Sequence, residues 1–167
     1  MPRPPRCFVP GHVYHLYNRG VRRHRLFVTD EDYQHFQGLM GAAQMKVPVR
    51  LIAYCLMPNH WHLVVWVSAV CAVSAHVRWL AWSHSCYFNK HHHFKGHAYE
   101  GRFNSRVVKE DRHLLTLLRY VEANPVAAGL VERAEQWQWS SLHRCREIVI
   151  AESPVRRPAY WLDLLSE

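Results

Sequence analysis

No stretch of this 167-residue chain stays apolar long enough to cross a bilayer, since a spanning helix needs about 20 predominantly apolar residues. The longest apolar run, 63–67, continues only into the small residues of 68–75. The opening Met1-Pro2-Arg3-Pro4-Pro5-Arg6 lacks the apolar core of a signal peptide, and a cytoplasmic protein with no membrane partner is the expectation. The cysteines (Cys7, Cys55, Cys71, Cys86 and Cys145) are odd in number, scattered and never in a CxxC pair. That spacing argues against a disulfide framework or a structural zinc knot and for reduced thiols. No internal repeat is visible. Acidic residues are scarce: 13 Asp and Glu stand against 21 Lys and Arg, for a net charge of +8. This balance disfavours small cationic substrates and favours a polyanion, nucleic acid first.

What the chain does hold in quantity is aromatic side chains, with seven Trp and eight Tyr. Several lie beside basic residues, as in Arg78-Trp79 and Tyr99-Glu100-Gly101-Arg102-Phe103. Single-stranded nucleic acid is held by such a mixture, because cations track phosphates while rings stack on bases.

The length suits one core, and residues 1–150 read as a single domain followed by a tail, 151–167, that either docks or stays loose. Residues 12–18 are β-branched and aromatic and predict a first strand. A basic loop, 19–25, follows. Thr29 or Asp30 caps a helix whose positive end suits Glu31 and Asp32. Its apolar positions Tyr33, Phe36, Leu39, Met40 and Ala43 keep helical spacing, and it should stop before Pro48. Residues 49–57 and 60–67 predict a hairpin across the Pro58-Asn59 turn. A helix at 71–90, an exposed loop around His91 to His93, and a strand at 102–108 come next. A further helix runs from Asp111 to about Asn124, because the residue before Pro125 resists helical geometry. A short helical piece is predicted at 139–146. The order is βαββαβ, a split βαβ of ferredoxin-like type: an α+β antiparallel sheet with an added helix toward the C-terminus.

His60 and His62 are two apart on a predicted strand, so both imidazoles leave the same face. Two imidazoles on one rigid face can begin a metal site; the same pattern also suits two hydrogen-bonded histidines at a sheet edge. Tyr120 and Asn124 are four apart on the last predicted helix and share a face. The core stripe there is Leu114, Leu117, Leu118 and Val121. Tyr120 falls on its flank beside His113, between core and solvent, where a reactive hydroxyl has to be. An amphipathic Tyr with a wet hydroxyl would sit in the same place.

The stretch 54–65, Tyr-Cys-Leu-Met-Pro-Asn-His-Trp-His-Leu-Val-Val, closely resembles the Y1 transposases of the IS200/IS605 type, within the HUH superfamily, and among them the REP-associated tyrosine transposases. Further segments follow in the family's order. These are 14–20 (Tyr-His-Leu-Tyr-Asn-Arg-Gly), Leu26-Phe27, Asp32-Tyr33, Gly101-Arg102-Phe103, 118–126 (Leu-Arg-Tyr-Val-Glu-Ala-Asn-Pro-Val), 128–131 and Trp139-Ser140-Ser141-Leu142. The resemblance implies that His60 and His62 bind metal, that Asn124 completes the site, and that Tyr120 is the nucleophile. It implies Mg²⁺, while two imidazoles and an amide oxygen by themselves suit Mn²⁺ better. It also implies cleavage and rejoining of single-stranded DNA at hairpin-containing, REP-like sites through a 5′-phosphotyrosine, by a monomer or homodimer. Two positions depart from the family: the segment 67–72 is apolar where a polar turn is usual, and Asn104 stands where a Lys is usual.

Phosphodiester transfer needs a nucleophile, charge neutralisation at phosphorus and in-line geometry. Arg19, Arg22, Arg23 and Arg25 of the basic loop, with Arg102, Arg106 and Lys109, are candidates for DNA backbone contacts; each also suits a solvated charged surface. His91 to His93 read as an exposed tract rather than a second metal site. A module that binds a DNA or RNA hairpin without cutting it is the alternative. A metal hydrolase unrelated to DNA is disfavoured by the absence of a carboxylate cluster beside His60 and His62.

Overall fold

The computed structural model describes residues 6–68 and 72–166. The opening Met1 to Pro5, Cys71 and part of the apolar 67–72 segment lie outside the described residues. The strands are β1 (Val13–Arg19), β2 (Arg50–Met57), β3 (His60–Trp66) and β4 (Asn104–Val108). The helices are α1 (Asp30–Lys46), α2 (Ala72–His91), α3 (Asp111–Ala127) and a single turn, α4 (Trp161–Leu164). The four strands form one antiparallel sheet in the order β2-β3-β1-β4. This is the ferredoxin-like α+β arrangement that the βαββαβ order predicts. Among the described residues no helix is long and apolar enough to cross a membrane.

Local chemistry accounts for the elements. Thr29 caps α1 and Asp32 answers it in a reciprocal capping box, satisfying two backbone donors that a helix start leaves open. Helix α1 ends at Lys46, two residues before Pro48. Strands β2 and β3 are joined directly across Pro58-Asn59, with Met57 opposite His60. Strand alternation then divides the sheet into two surfaces. Tyr14, Leu16, Tyr54, Leu56, Trp61 and Leu63 face α1 and α2, where they meet Tyr33, Phe36, Met40, Val77, Leu80 and Phe88. Val13, Ile52, Ala53, Cys55 and Val64 face α3 and pack against Leu114, Leu117, Leu118 and Val121. Full burial of each large apolar side chain stabilises by roughly 1.5–3 kcal/mol before conformational entropy is counted.

Two sequence expectations fail. First, α3 does not stop at Asn124 but runs through Pro125 to Ala127. The bias against helix before proline is overcome because Pro125 is itself buried and the Asn124 carbonyl still accepts from Ala128 N at 3.0 Å. The actual stop is Gly129, at φ +68°, a left-handed conformation that glycine adopts without a Cβ penalty. Second, no helix forms at 139–146. That segment runs beside β2 instead: Leu56 N donates to Trp139 O at 2.9 Å and Ser141 N to Tyr54 O at 2.9 Å. Pairing with these β2 groups satisfies open backbone donors and acceptors at a sheet edge, which a helix, with its own backbone groups paired internally, would leave unmatched.

The segment after residue 150 packs against α3. Trp161 and Leu165 join the core on that side. Glu122 of α3, only 2% exposed, accepts hydrogen bonds from Arg157 at 2.6 Å and from Trp161 Nε1 at 2.7 Å. A buried carboxylate needs such partners, and they tie the tail to the helix that carries Tyr120.

Candidate active site

Strand register assembles the site. Tyr17 lies opposite His62 and Arg19 opposite His60 across β1 and β3. His15 lies opposite Arg106 across β1 and β4. Directly paired residues point to the same side of a sheet, so His15, Tyr17, Arg19, His60, His62 and Arg106 all leave the α3 side. Helix α3 brings Tyr120 and Asn124 to them on successive turns.

The imidazoles are held in defined orientations. His62 is 3% exposed. Its Nδ1 is 2.8 Å from His15 Nε2, and its Nε2 is 3.4 Å from the Asn124 amide nitrogen. His60 donates from Nδ1 to Asn59 Oδ1 at 2.7 Å, and the Asn124 amide also reaches His60. The two rings stand 4.9 Å apart at 89°. Both histidines thus have Nδ1 engaged, and the Nε2 of His62 meets the Asn124 amide. A half-turn of that amide presents Oδ1 in place of Nδ2.

Electrostatics keeps these rings neutral. Burial pushes His62 well below the usual imidazole range, reinforced by His15 and His60. Burial, then the Arg19 charge, lowers His60. Burial, then the Arg106 charge, pushes His15 down to about 4. A neutral imidazole is the form that ligates metal. Two nitrogens and one amide oxygen suit a divalent ion with open positions, so the donor set present fits the ion that the motif implies.

Tyr120 is 54% exposed. Its ring stands edge-on to His62, with centroids 5.6 Å apart, and to His15 at 6.2 Å. The phenol thus borders a cleft of about 710 Å³ whose walls include Arg19, Arg23 and Arg106 and whose lining holds no carboxylate. Such a cleft favours an anion.

The predicted cations do not all converge on it. Arg22 lines a separate cleft with His24, Phe94 and Lys95. Arg102 borders a third, smaller one with Asn18 and Glu100. Arg25 and Lys109 are exposed and line none of these three. Arg22 and Arg23 diverge because both have positive φ, 52° and 60°, which turns the basic loop sharply. Two members of the site escaped the sequence reading. His15 and Tyr17 alternate on the first strand as His60 and His62 do on the third, so the HxY spacing was a usable signal. Which partner strand they would meet was not.

The family described as Transposase IS200 like matches residues 8–124. A protein of Haemophilus influenzae described as a REP-associated tyrosine transposase is 25% identical over 149 residues, covering 83% of this chain and 84% of that one. The solved structure of a REP-associated tyrosine transposase bound to a REP hairpin superimposes with a TM-score of 0.70 at 20% identity, over 86% of this chain and 84% of that one. A crystal structure from Deinococcus radiodurans R1, assigned as a transposase, gives a TM-score of 0.50 at 17% identity, over 72% of this chain and 95% of that one. At those identities the two structures speak for the fold alone. The family match spans most of the chain and takes in the paired histidines, Tyr120 and Asn124, and this chain belongs to the IS200-like transposase family.

Proposed function

We propose that the protein is a metal-dependent tyrosine transposase and single-strand DNA endonuclease. It cleaves and rejoins DNA at hairpin-containing, REP-like sites, acting in the cytoplasm as a monomer or homodimer. The reading rests on one observation above others: Tyr120 stands over His62 beside Asn124, in an arginine-walled cleft without a carboxylate.

In this reading His60, His62 and Asn124 hold one Mg²⁺ or Mn²⁺. The ion supplies Lewis-acid polarisation of the scissile phosphate. The chain does the rest. Arg19, Arg23 and Arg106 draw the backbone into the cleft and fix its register. His15 holds His62 by the 2.8 Å contact, as partners beyond the ligands do at metal centres. Tyr120, which lines the cleft, attacks phosphorus through its phenol oxygen, which gives up its proton to water. The bond from phosphorus to the 3′ oxygen breaks, that oxygen takes up a proton, and the 5′ phosphate stays on Tyr120. A hydroxyl attacking the phosphotyrosyl ester reseals the strand and frees the phenol. Holding nucleophile and ligand on one helix keeps the reacting atoms close. Arg22, Arg25, Arg102 and Lys109 serve as more distant backbone contacts.

Incubation of the protein with end-labelled single-stranded hairpin DNA and Mn²⁺ tests the reading. A covalent protein–DNA band mapping to Tyr120 supports it. Hairpin binding with no adduct under any divalent ion would make the protein a binding module instead.

A further inference from the structure

The start of α1 and the end of α2 bring together residues that the transfer chemistry does not use. Asp32 is fully buried. Its Oδ2 accepts from the backbone N–H of Val28 at 2.7 Å and of Thr29 at 2.9 Å, closing the helix cap. Its Oδ1 points the other way, to His92 Nε2 at 2.8 Å and the Tyr87 hydroxyl at 3.3 Å. Burial alone would raise the Asp32 carboxyl, but hydrogen bonds from Thr29, His92 and Val28 outweigh it and hold the group below the usual carboxylate range. His91 closes the third side, and the ligand atoms of Asp32, His91 and His92 all lie within 4.8 Å of one another. The two imidazoles are 4.9 Å apart at 79°. A column of rings steadies His91: it stacks on Tyr87 at 5.0 Å, and Tyr87 stacks on His35 at 3.7 Å.

The exposed tract expected at His91 to His93 is therefore not uniform. His91 and His93 are exposed, but His92 turns inward onto Asp32. The division falls where α2 ends at His91 and His93 takes φ 50°.

We propose that Asp32, His91 and His92 form a second metal site, distinct from that of His60 and His62, for a borderline transition ion of the Zn²⁺ class. Two imidazoles and one carboxylate oxygen leave a fourth tetrahedral position for water, a ligand set typical of Zn²⁺. Ligand atoms on one tetrahedral zinc lie roughly 3.3 Å apart, so the site closes by a small movement of the exposed His91. An ion pair of His92 with Asp32 explains two of these residues, and the stack on Tyr87 holds the His91 ring beside them. Bound there, the ion clamps the first turn of α1 to the end of α2, just ahead of the turn carrying Phe94 and Lys95.

Calorimetric titration of untagged, chelator-stripped protein with ZnCl₂ tests this. The His60→Ala/His62→Ala double variant removes the other site from the measurement. It should still bind one Zn²⁺ and melt at a higher temperature with it. Adding His91→Ala or His92→Ala should weaken binding about tenfold or more, while His93→Ala should leave it unchanged. In the otherwise unaltered chain, His91→Ala should remove one bound ion without changing the metal-free melting temperature. Failure of the double variant to bind Zn²⁺ while still folded, or full binding by the His91→Ala chain, reduces the cluster to an ion pair. Equal loss in His93→Ala reduces it to scavenging by an exposed histidine tract. Either result overturns the proposal.

Discussion

The two faces of the sheet are built from the same four strands to opposite ends. Toward α1 and α2 the strands send Tyr54, Trp61, Leu16 and Leu63 into a continuous apolar cluster, threaded by a short run of buried polar contacts. Trp61 Nε1 donates to the Tyr99 hydroxyl at 3.1 Å, which in turn lies 2.6 Å from His84 Nδ1. Toward α3 the apolar residues are confined to one end. Helix α3 packs chiefly on β2, and beside it β1, β3 and β4 present His15, His60, His62 and Arg106 to a cleft. Stability is concentrated on the filled face and chemistry on the half-covered one. A single residue step along β3, from Trp61 to His62, crosses from one to the other.

The largest effect expected from breaking this division is on the cleft side. Tyr120→Phe keeps the ring and loses the oxygen, so adduct formation should fall by about 10³-fold or more. Hairpin affinity and the urea midpoint should stay as they were, since the side chain is more than half exposed. Equal cleavage by the Phe protein, read on a denaturing gel, would remove Tyr120 from the nucleophile's role.

On the filled face the expected loss is in folding, not turnover. Trp61→Ala should cost about 3–5 kcal/mol in denaturant unfolding, because its indole is fully buried and its N–H is hydrogen-bonded. A change under 1 kcal/mol would mean that this core collapses around the hole.

His60→Ala should lower Mn²⁺-dependent cleavage by about a hundredfold with little loss of stability, because it is only partly buried. His62→Ala should cost activity similarly and stability as well, since it strands His15 inside the fold. Circular dichroism melts beside cleavage rates separate the two.

Acid should act on both faces. Burial pushes His15 down to about 4 and His84 to about 3, against about 6.5 in an unfolded chain. Below that value the unfolded chain binds more protons than the folded one, so stability falls with falling pH. It should be complete above pH ~6.5 and drop toward pH 4 by on the order of 3 kcal/mol for each of the two histidines. A midpoint that is flat between pH 7 and 4.5 would contradict the neutral, buried histidines.

The smallest effects should sort the cations. Arg106→Ala and Arg23→Ala, in the cleft, should each weaken hairpin binding several-fold and reduce the slope of log affinity against log salt by about 1. Arg25→Ala should do less. Identical effects at all three would mean that the cleft is not the path of the DNA.

The strands, the first two long helices and the hairpin were legible because their signals are local: the Thr29/Asp32 cap, Pro48, the Pro58-Asn59 turn and the alternation around Trp61. The misread parts are those where a distant segment decides. A helix at 139–146 is plausible from composition, yet β2 offers backbone partners that only a folded sheet presents. Pro125 reads as a stop, yet burial against the α3-side core carries the helix past it to Ala127.

The sequence by itself determined which side chains could do chemistry and on which face of its own element each would lie. Periods of two and 3.6 residues are properties of the local backbone, so the pairing of His60 with His62 and of Tyr120 with Asn124 follows from spacing. Tertiary structure alone decided which faces meet. It set His15 against His62, separated Arg23 from Arg22 at a loop turned by two positive φ angles, folded the tail onto Glu122, and brought Asp32 to His91 and His92 from 60 residues away. Those contacts depend on strand register and on how α3 crosses the sheet, and both are settled by burying apolar surface across the whole chain rather than by any short stretch of it.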